Sequence, residues 1–496
     1  MTAEIVVPNR HGWERGQATP THSGRGKLRA LVIASGLCCS VLFVVIGLWN
    51  ELQMFGDGSF FSYSVAVQDA WTFWQNLSGR LFVYLFAYVP SQTYVGLTRD
   101  AHGGVAVYGF LFFVAPLLGL AATFWLDGTK GQILFSYASA STACLCPLVF
   151  GFPTETWMSH SLFWPAIALC HHDRAGAAKL ACVFAILLAL VFTHEGALIF
   201  AFAIFVTLLM RGKHDPAYLR ARGVFILVML IWIAVKTLLP PDDIMADVLK
   251  RGALRVFDPN ILTGYLVLLL FSVAFLYAAA SVLFWRSRLK GPHLYAALLI
   301  AVLLSVYWTW FDHALHAENR YYLRTVILLV TPTLGAIAVM HAFRAEGRLL
   351  LPLPFLPRLM AYLTSAASER ALTGAFALLL LVHAVETTKF VKAWGEYRGA
   401  LRELAIGNAS DPALGDSNFV SSYRIDAGLN RLAWVSTTPF LSVLVTPDLA
   451  PSRLVIYPYP GFLWLSCETA ASDVQESRAL PVESLRLIKT YSCLHR

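Results

Sequence analysis

Long apolar runs recur from residue 30 to residue 389, and short polar connections separate them. A helix that crosses a bilayer needs about 20 mostly apolar residues, because lipid offers the backbone no hydrogen-bond partners. Runs that meet or approach that length lie at 30–49, 104–126, 131–150, 157–171, 178–193, 196–210, 222–239, 261–285, 293–311, 325–343 and 371–389. Only 14% of the 496 residues are charged and 57% are hydrophobic, whereas soluble domains carry about 25% charged residues. The expected fold is an all-α polytopic membrane bundle of about eleven transmembrane helices.

Charge orients the bundle. The N-terminal tail, residues 1–29, holds Arg10, Arg15, Arg25, Lys27 and Arg29. Alternate connections, at Lys130, His171 to Arg174, Arg211 to Arg222, Arg286 to Lys290 and Arg344 to Arg370, are mostly basic too. The positive-inside rule then places the tail and these connections in the cytoplasm, with the C-terminus extracytoplasmic, as in a plasma (inner) membrane protein. Lys250, Arg251 and Arg255 are the exception, in an outer loop. The net charge of +8 is thereby a topology signal, and no nucleic-acid partner is expected. No small-residue cleavage site follows the first apolar run, which reads as a retained signal anchor.

Two apolar stretches stay out of the count. Leu81 to Leu97 contains Pro90, Ser91, Gln92 and Thr93; as a crossing it would turn every later basic loop outward, so it reads as re-entrant or interfacial. Just before it, Trp71, Trp74, Leu77 and Leu81 recur at helical spacing, which suits a helix lying in the membrane surface. Leu349 to Leu363 is broken by Pro352, Pro354 and Pro357 and is placed on the cytoplasmic surface. Three parts follow: the tail 1–29, a transmembrane domain 30–389 whose first outer loop is 50–103, and a soluble extracytoplasmic segment 390–496. In the last, Trp394 to Ala405 reads as an amphipathic helix, and Leu432 to Val445 and Leu454 to Leu465 as strands. A small C-terminal α+β domain is expected. Cys467 and Cys493 could pair in it; the six cysteines in apolar runs read as small apolar filler.

With this topology the unusual polar groups gather on the outer side, where ionisable residues at membrane depth normally have a task or a partner. Asp57, between Gly56 and Gly58, follows the first span; it is either a turn aspartate or a general base that takes a proton from an acceptor hydroxyl. Asp69 reads as a solvated or capping residue. His194 and Glu195 sit at the tip of an apolar hairpin, as an acid–base pair or as a bridge for broken backbone. Glu155 and His160 frame another short loop. Asp312, His313, His316 and Glu318 form the densest run; a divalent metal on His313, His316 and Glu318 is an option, although the spacing matches no firm template. Arg320 and Arg324 are four apart at the start of a span, so their guanidiniums could grip a phosphate bidentately or snorkel to headgroups.

The many-span body, the acid of Gly56-Asp57-Gly58 after the first span, the aromatic surface helix in the same loop and the outer C-terminal segment together resemble the GT-C superfamily of integral-membrane glycosyltransferases. The resemblance covers the whole chain as architecture and Asp57 alone as motif; many members have paired acids where this chain has a single Asp between glycines. It implies transfer of a sugar from a polyprenyl-phosphate donor to a glycan, lipid or protein acceptor on the outer (periplasmic) face. Asp57 would be the base, and Arg320 and Arg324, with His194, would hold the departing phosphate. The readings from other classes are a secondary transporter, a lipid-linked oligosaccharide polymerase or ligase, an acyltransferase and a scaffold. The chain has neither a P-loop nor a Rossmann glycine pattern.

Overall fold

The computed structural model describes residues 25–73, 80–145, 154–171, 176–210, 216–240, 250, 254, 265–312, 320–346, 365–407, 418–434, 436–457 and 465–494. Almost all of them are helical, as a chain immersed in lipid must be to satisfy its own backbone. The main helices are α1 (Arg25–Trp49), α2 (Asp57–Ala66), α3 (Ala70–Phe73), α4 (Leu81–Val83), which continues through a π-turn (Tyr84–Tyr88) into α5 (Val89–Thr98), then α6 (Ala101–Leu126), α7 (Ile133–Leu145), α8 (Glu155–Cys170), α9 (Ala177–Val191), α10 (Ala197–Met210), α11 (Pro216–Leu238), α12 (Tyr265–Arg286), α13 (Pro292–Val306), α14 (Arg320–Ala345) and α15 (Ala366–Ile406).

Each expected span coincides with a helix. Among the described residues, seven helices are long and apolar enough to cross a membrane: those at Gly26–Trp49, Ala101–Leu126, Tyr218–Leu238, Leu268–Arg286, Pro292–Phe311, Val326–Ala345 and Ala367–Ile406. The other four, α7 to α10, have 13, 16, 15 and 14 residues. At 1.5 Å per residue each is shorter than a hydrocarbon core of about 30 Å. Of these, α8 is interior, whereas α9 and α10 keep an exposed apolar face that includes Phe202 and Leu209. In α8 nearly every side chain is buried, including Trp157, Phe163 and Trp164, and α6, α9, α10 and α14 pack around it.

Small residues let these helices approach closely, as in other membrane bundles. A Cβ on Gly119 of α6 would come within 2.5 Å of the Ser161 carbonyl oxygen of α8, and one on Gly36 of α1 within 2.7 Å of the Ser139 backbone of α7.

At 41 residues α15 is twice the length a bilayer needs. Its C-terminal half leaves the apolar body and carries the rest of the chain, as the amphipathic pattern of Trp394 to Ala405 led one to expect. Beyond it lie β1 (Phe419–Ser421), α16 (Ala427–Asn430), α17 (Thr438–Leu444), β2 (Leu454–Ile456), α18 (Cys467–Glu476) and α19 (Val482–Leu494). The two strands pair in parallel, Phe419 with Leu454 through Ser421 with Ile456. Leu432 to Val445 is not a strand. Pro439 opens a helix there, since its fixed φ suits a first turn, and α17 is buried on every side, so helix is favoured despite its β-branched residues. Of Leu454 to Leu465, Leu454–Ile456 is strand; residues 458–464 lie outside the described set.

Cys467 and Cys493 form a disulfide with Cα atoms 4.8 Å apart, which ties α18 to α19 across a separation of 26 residues. Replacing both by serine is expected to cost about 3 kcal/mol through the freed unfolded chain. The check is earlier proteolytic release of the C-terminal helices while the apolar body stays resistant.

Candidate functional site

Asp57 is the first residue of α2, and its side chain is half-buried. The turn before it is shaped by Gly56, at φ 60° and ψ −132°, a region open mainly to glycine. A side chain there would also crowd the Trp434 ring, because a Cβ on Gly56 would lie 3.1 Å from it. Ser59 Oγ donates to the Gly56 carbonyl at 2.8 Å and reaches the Thr437 carbonyl at 3.3 Å. Phe55 is enclosed edge-on by Phe390, Trp394 and Trp434, with centroids 5.1, 5.2 and 6.3 Å away. The Asp57 turn is thereby clamped between α15 and the C-terminal segment. Its α2 helix starts at the end of the bundle, and the helix N-terminus favours its negative charge.

A group of polar side chains lies inside the bundle, within electrostatic range of Asp57. The charge of Asp57 acts on Tyr108 of α6. The Tyr108 and Tyr88 hydroxyls are 3.4 Å apart, and Tyr88 feels both Glu155 and Arg80. Arg80, just before α4, is the hub. Its Nη1 donates to Glu155 Oε1 at 2.7 Å, and its Nε lies 3.6 Å from Glu195 Oε2. Glu195 also meets Lys236 Nζ of α11 at 3.5 Å. Burial works against the charge of Arg80, but Glu155 and Glu195 outweigh it and hold the pKa above its ordinary value. Two cations and two carboxylates, all with side chains no more than 16% exposed, form a balanced cluster from four separate parts of the chain.

The α9–α10 connection that supplies Glu195 is irregular between Phe192 and Gly196. His194 Nδ1 accepts the Gly196 N–H at 2.8 Å, so its other nitrogen carries the proton when the ring is neutral. This is the backbone-bridging arrangement anticipated as one reading of His194. The Phe192 carbonyl accepts the Phe82 N–H at 3.1 Å, which locks the Arg80 strand of the loop to the same turn. Leu328, one turn beyond Arg324 in α14, would crowd a Cβ on Gly196 at 2.8 Å. The backbone of Arg320 and Arg324 thus starts α14 close to this cluster; their side chains lie outside the described set.

The remaining sequence candidates separate. His160 is buried one and a half turns below Glu155, against Trp157, with Nε2 2.9 Å from Ser141 Oγ; this ties α8 to α7. Asp312 is fully buried and pairs with Lys389 of α15, whose Nζ is 3.4 Å from Glu386. Trp308 Nε1 donates to Glu386 at 3.1 Å. That second ionic group adjoins Phe390, hence the Asp57 turn, without joining the Arg80 cluster. His313, His316 and Glu318 lie outside the described residues. Among the described residues no three His, Cys, Asp or Glu side chains are arranged to hold a metal.

Asp69, after α2, faces the C-terminal segment. Asp473 of α18 is buried to 4% exposure. Burial first, then the nearby charges of Asp69 and Glu476, push its pKa up to about 7, and Tyr63 of α2 is in electrostatic range. The folded state therefore holds the Asp473 proton more tightly than the unfolded chain. Its stabilising contribution is complete below about pH 4 and is lost as pH rises through about 7. Thermal unfolding is expected to shift downward from pH 5 to pH 8, and Asp473→Asn to flatten that slope.

Arg80, Lys236, Tyr88, Tyr108 and Glu386 escaped the sequence reading. Lys236 and Glu386 had a signal, a charge inside a mostly apolar span, Glu386 with Lys389 three residues on. Arg80 had none, because it stands in a polar loop where an arginine is unremarked. Compared with protein-family models, characterised proteins and solved structures, the chain has no match.

Proposed function

We propose that this membrane protein is a glycosyltransferase of GT-C type, which passes a sugar from a polyprenyl-phosphate donor to an acceptor hydroxyl at the Asp57 end of the bundle, read as the periplasmic side. The observation that carries the reading is a half-buried carboxylate, Asp57, together with a buried cluster that holds two cations, Arg80 and Lys236, with the Tyr88–Tyr108 hydroxyl pair in electrostatic range of both. Displacement at an anomeric carbon needs these two kinds of group. Asp57 takes the acceptor proton, the acceptor oxygen bonds to the anomeric carbon, and the bond from that carbon to the phosphate oxygen breaks. The electron pair leaves on the phosphate, whose charge Arg80 and Lys236, with Arg320 and Arg324, offset. Glu155 and Glu195 hold the cations in place between turnovers, and His194 braces the turn.

The Glu195–Lys236 pair at a broken hairpin also suits a secondary transporter. The experiment that separates the two uses purified protein in proteoliposomes. Labelled sugar appearing on an acceptor only when polyprenyl-phosphate sugar is supplied supports transfer. Solute flux without any lipid donor, and no donor consumption, overturns it.

A further inference from the structure

The end of α2 meets the end of α18 across a seam lined by acids. Ala479, just past α18, packs against the small core around Val65, Ala70 and Val83. Beside it Asp473 is buried at 4% exposure. Its Oδ2 is buried too and has no hydrogen-bond partner among the described residues. The groups that act on it or feel it are Asp69 from the segment after α2, Tyr63 from α2 and Glu476 from its own helix. Asp69 in turn acts on Tyr84 of the π-turn. None of these four side chains carries positive charge in any protonation state. A buried carboxylate without a donor is expensive, and the usual relief is to take up a proton. The raised pKa of Asp473 agrees with this, but the packing demands it by itself: a charged Asp473 is solvated only by moving away from α2. The other end of α18 is anchored. Its first residue, Cys467, is bonded to Cys493 of α19, and Ser484 Oγ of α19 donates to the Leu449 carbonyl at 2.6 Å.

We propose that Asp473 is a proton-controlled latch between α18 and α2: with its carboxyl neutral α18 closes on α2, and when the carboxyl ionises, repulsion from Asp69 and Glu476 lifts that end of α18 away. What the latch holds is the far end of the helix that starts at Asp57. The near end is held separately, by Ser59 against the Thr437 carbonyl and by Phe440 against Phe60 and Tyr63. Open, Asp473 is an ordinary acid with a pKa of about 4. Closed, it keeps its proton up to about 7, through burial first and then the charges of Asp69 and Glu476. Closure is therefore strongest below about pH 4, weakens about tenfold per pH unit from there to about 7, and is level above that. The latch does not depend on the glycosyl-transfer reading, because it shows in the backbone and not in turnover.

The test is hydrogen–deuterium exchange read by mass spectrometry on the full-length protein in lipid nanodiscs, from pH 5 to pH 8, with each rate divided by that of the unstructured peptide. Protection of Tyr63 to Asp69 and of α18 is expected to fall about a hundredfold from pH 5 to pH 7 and little further to pH 8. Protection of α6 in the apolar body is expected to stay level. Asp473→Asn, neutral at every pH, is expected to hold its protection constant. Asp69→Asn, which removes one of the two repelling charges, is expected to shrink the fall, and it keeps the test open if Asp473→Asn does not fold. Wild-type protection that ignores pH, a fall of full size in either folded variant, or a fall shared equally by α6 overturns the latch.

Discussion

Asp57→Asn protein, reconstituted with a polyprenyl-phosphate sugar and acceptor, is expected to turn over about 10²–10⁴-fold more slowly than wild type, the range a positioned general base contributes. Asparagine keeps the shape of the side chain and cannot take a proton. Its cost to the fold is small, because the helix N-terminus favours a negative charge by only about 0.3–1 kcal/mol. The loss should therefore fall on kcat, with acceptor KM little changed and the unfolding temperature nearly that of wild type. Asp57→Glu should recover part of the rate, since the longer arm still reaches a hydroxyl. Wild-type turnover in Asp57→Asn would remove this carboxylate from the chemistry.

Arg80→Ala is expected to damage fold and activity together. Arg80 faces Glu155 at 2.7 Å and Glu195 at 3.6 Å, with side-chain exposures of 11%, 4% and 16%. Removing one member of a buried ionic group leaves the others uncompensated, at a cost of about 3–5 kcal/mol. Lys236 meets Glu195 at 3.5 Å and offsets that charge. Arg80→Lys keeps the charge but not the planar fork that serves two carboxylates at once, so it should recover stability partly. The double variant Arg80→Ala with Glu155→Gln should be more stable than Arg80→Ala alone, because the stranded charge goes too. Thermal unfolding in detergent measures all three. If Arg80→Ala unfolds like wild type, the cluster is a solvated surface group and the proposed phosphate grip loses its centre.

The fold was largely legible because lipid leaves a chain few options. Runs of about 20 apolar residues become helices whatever their detailed sequence, and positions such as 104–126 and 371–389 were found where Ala101–Leu126 and Ala366–Ile406 stand. What hydropathy could not separate was a helix that crosses from a shorter one that fills the interior. Burial, not composition, distinguishes α8 from α12. In the C-terminal segment local pattern misled at Leu432 to Val445, where Pro439 and complete burial decided for helix.

The site was legible in part. Asp57, Glu155 and Glu195 stood out as acids at span ends, and Glu155 and Glu195 meet through Arg80. Tyr108, in electrostatic range of both Asp57 and Glu155, and its neighbour Tyr88 look like ordinary aromatic filler in sequence. Asp312 and His160 were equally conspicuous and serve other contacts. Conspicuous polarity marks where a charge is embedded; which charges share a neighbourhood depends on helix crossings that no linear pattern encodes.

The Ser59 hydroxyl and the Thr437 carbonyl that it reaches are 378 positions apart, and Trp434 closes over Gly56 from equally far along the chain. During synthesis, then, the turn that carries Asp57 enters the membrane early and takes its final shape only after Trp434 and Thr437 have been made.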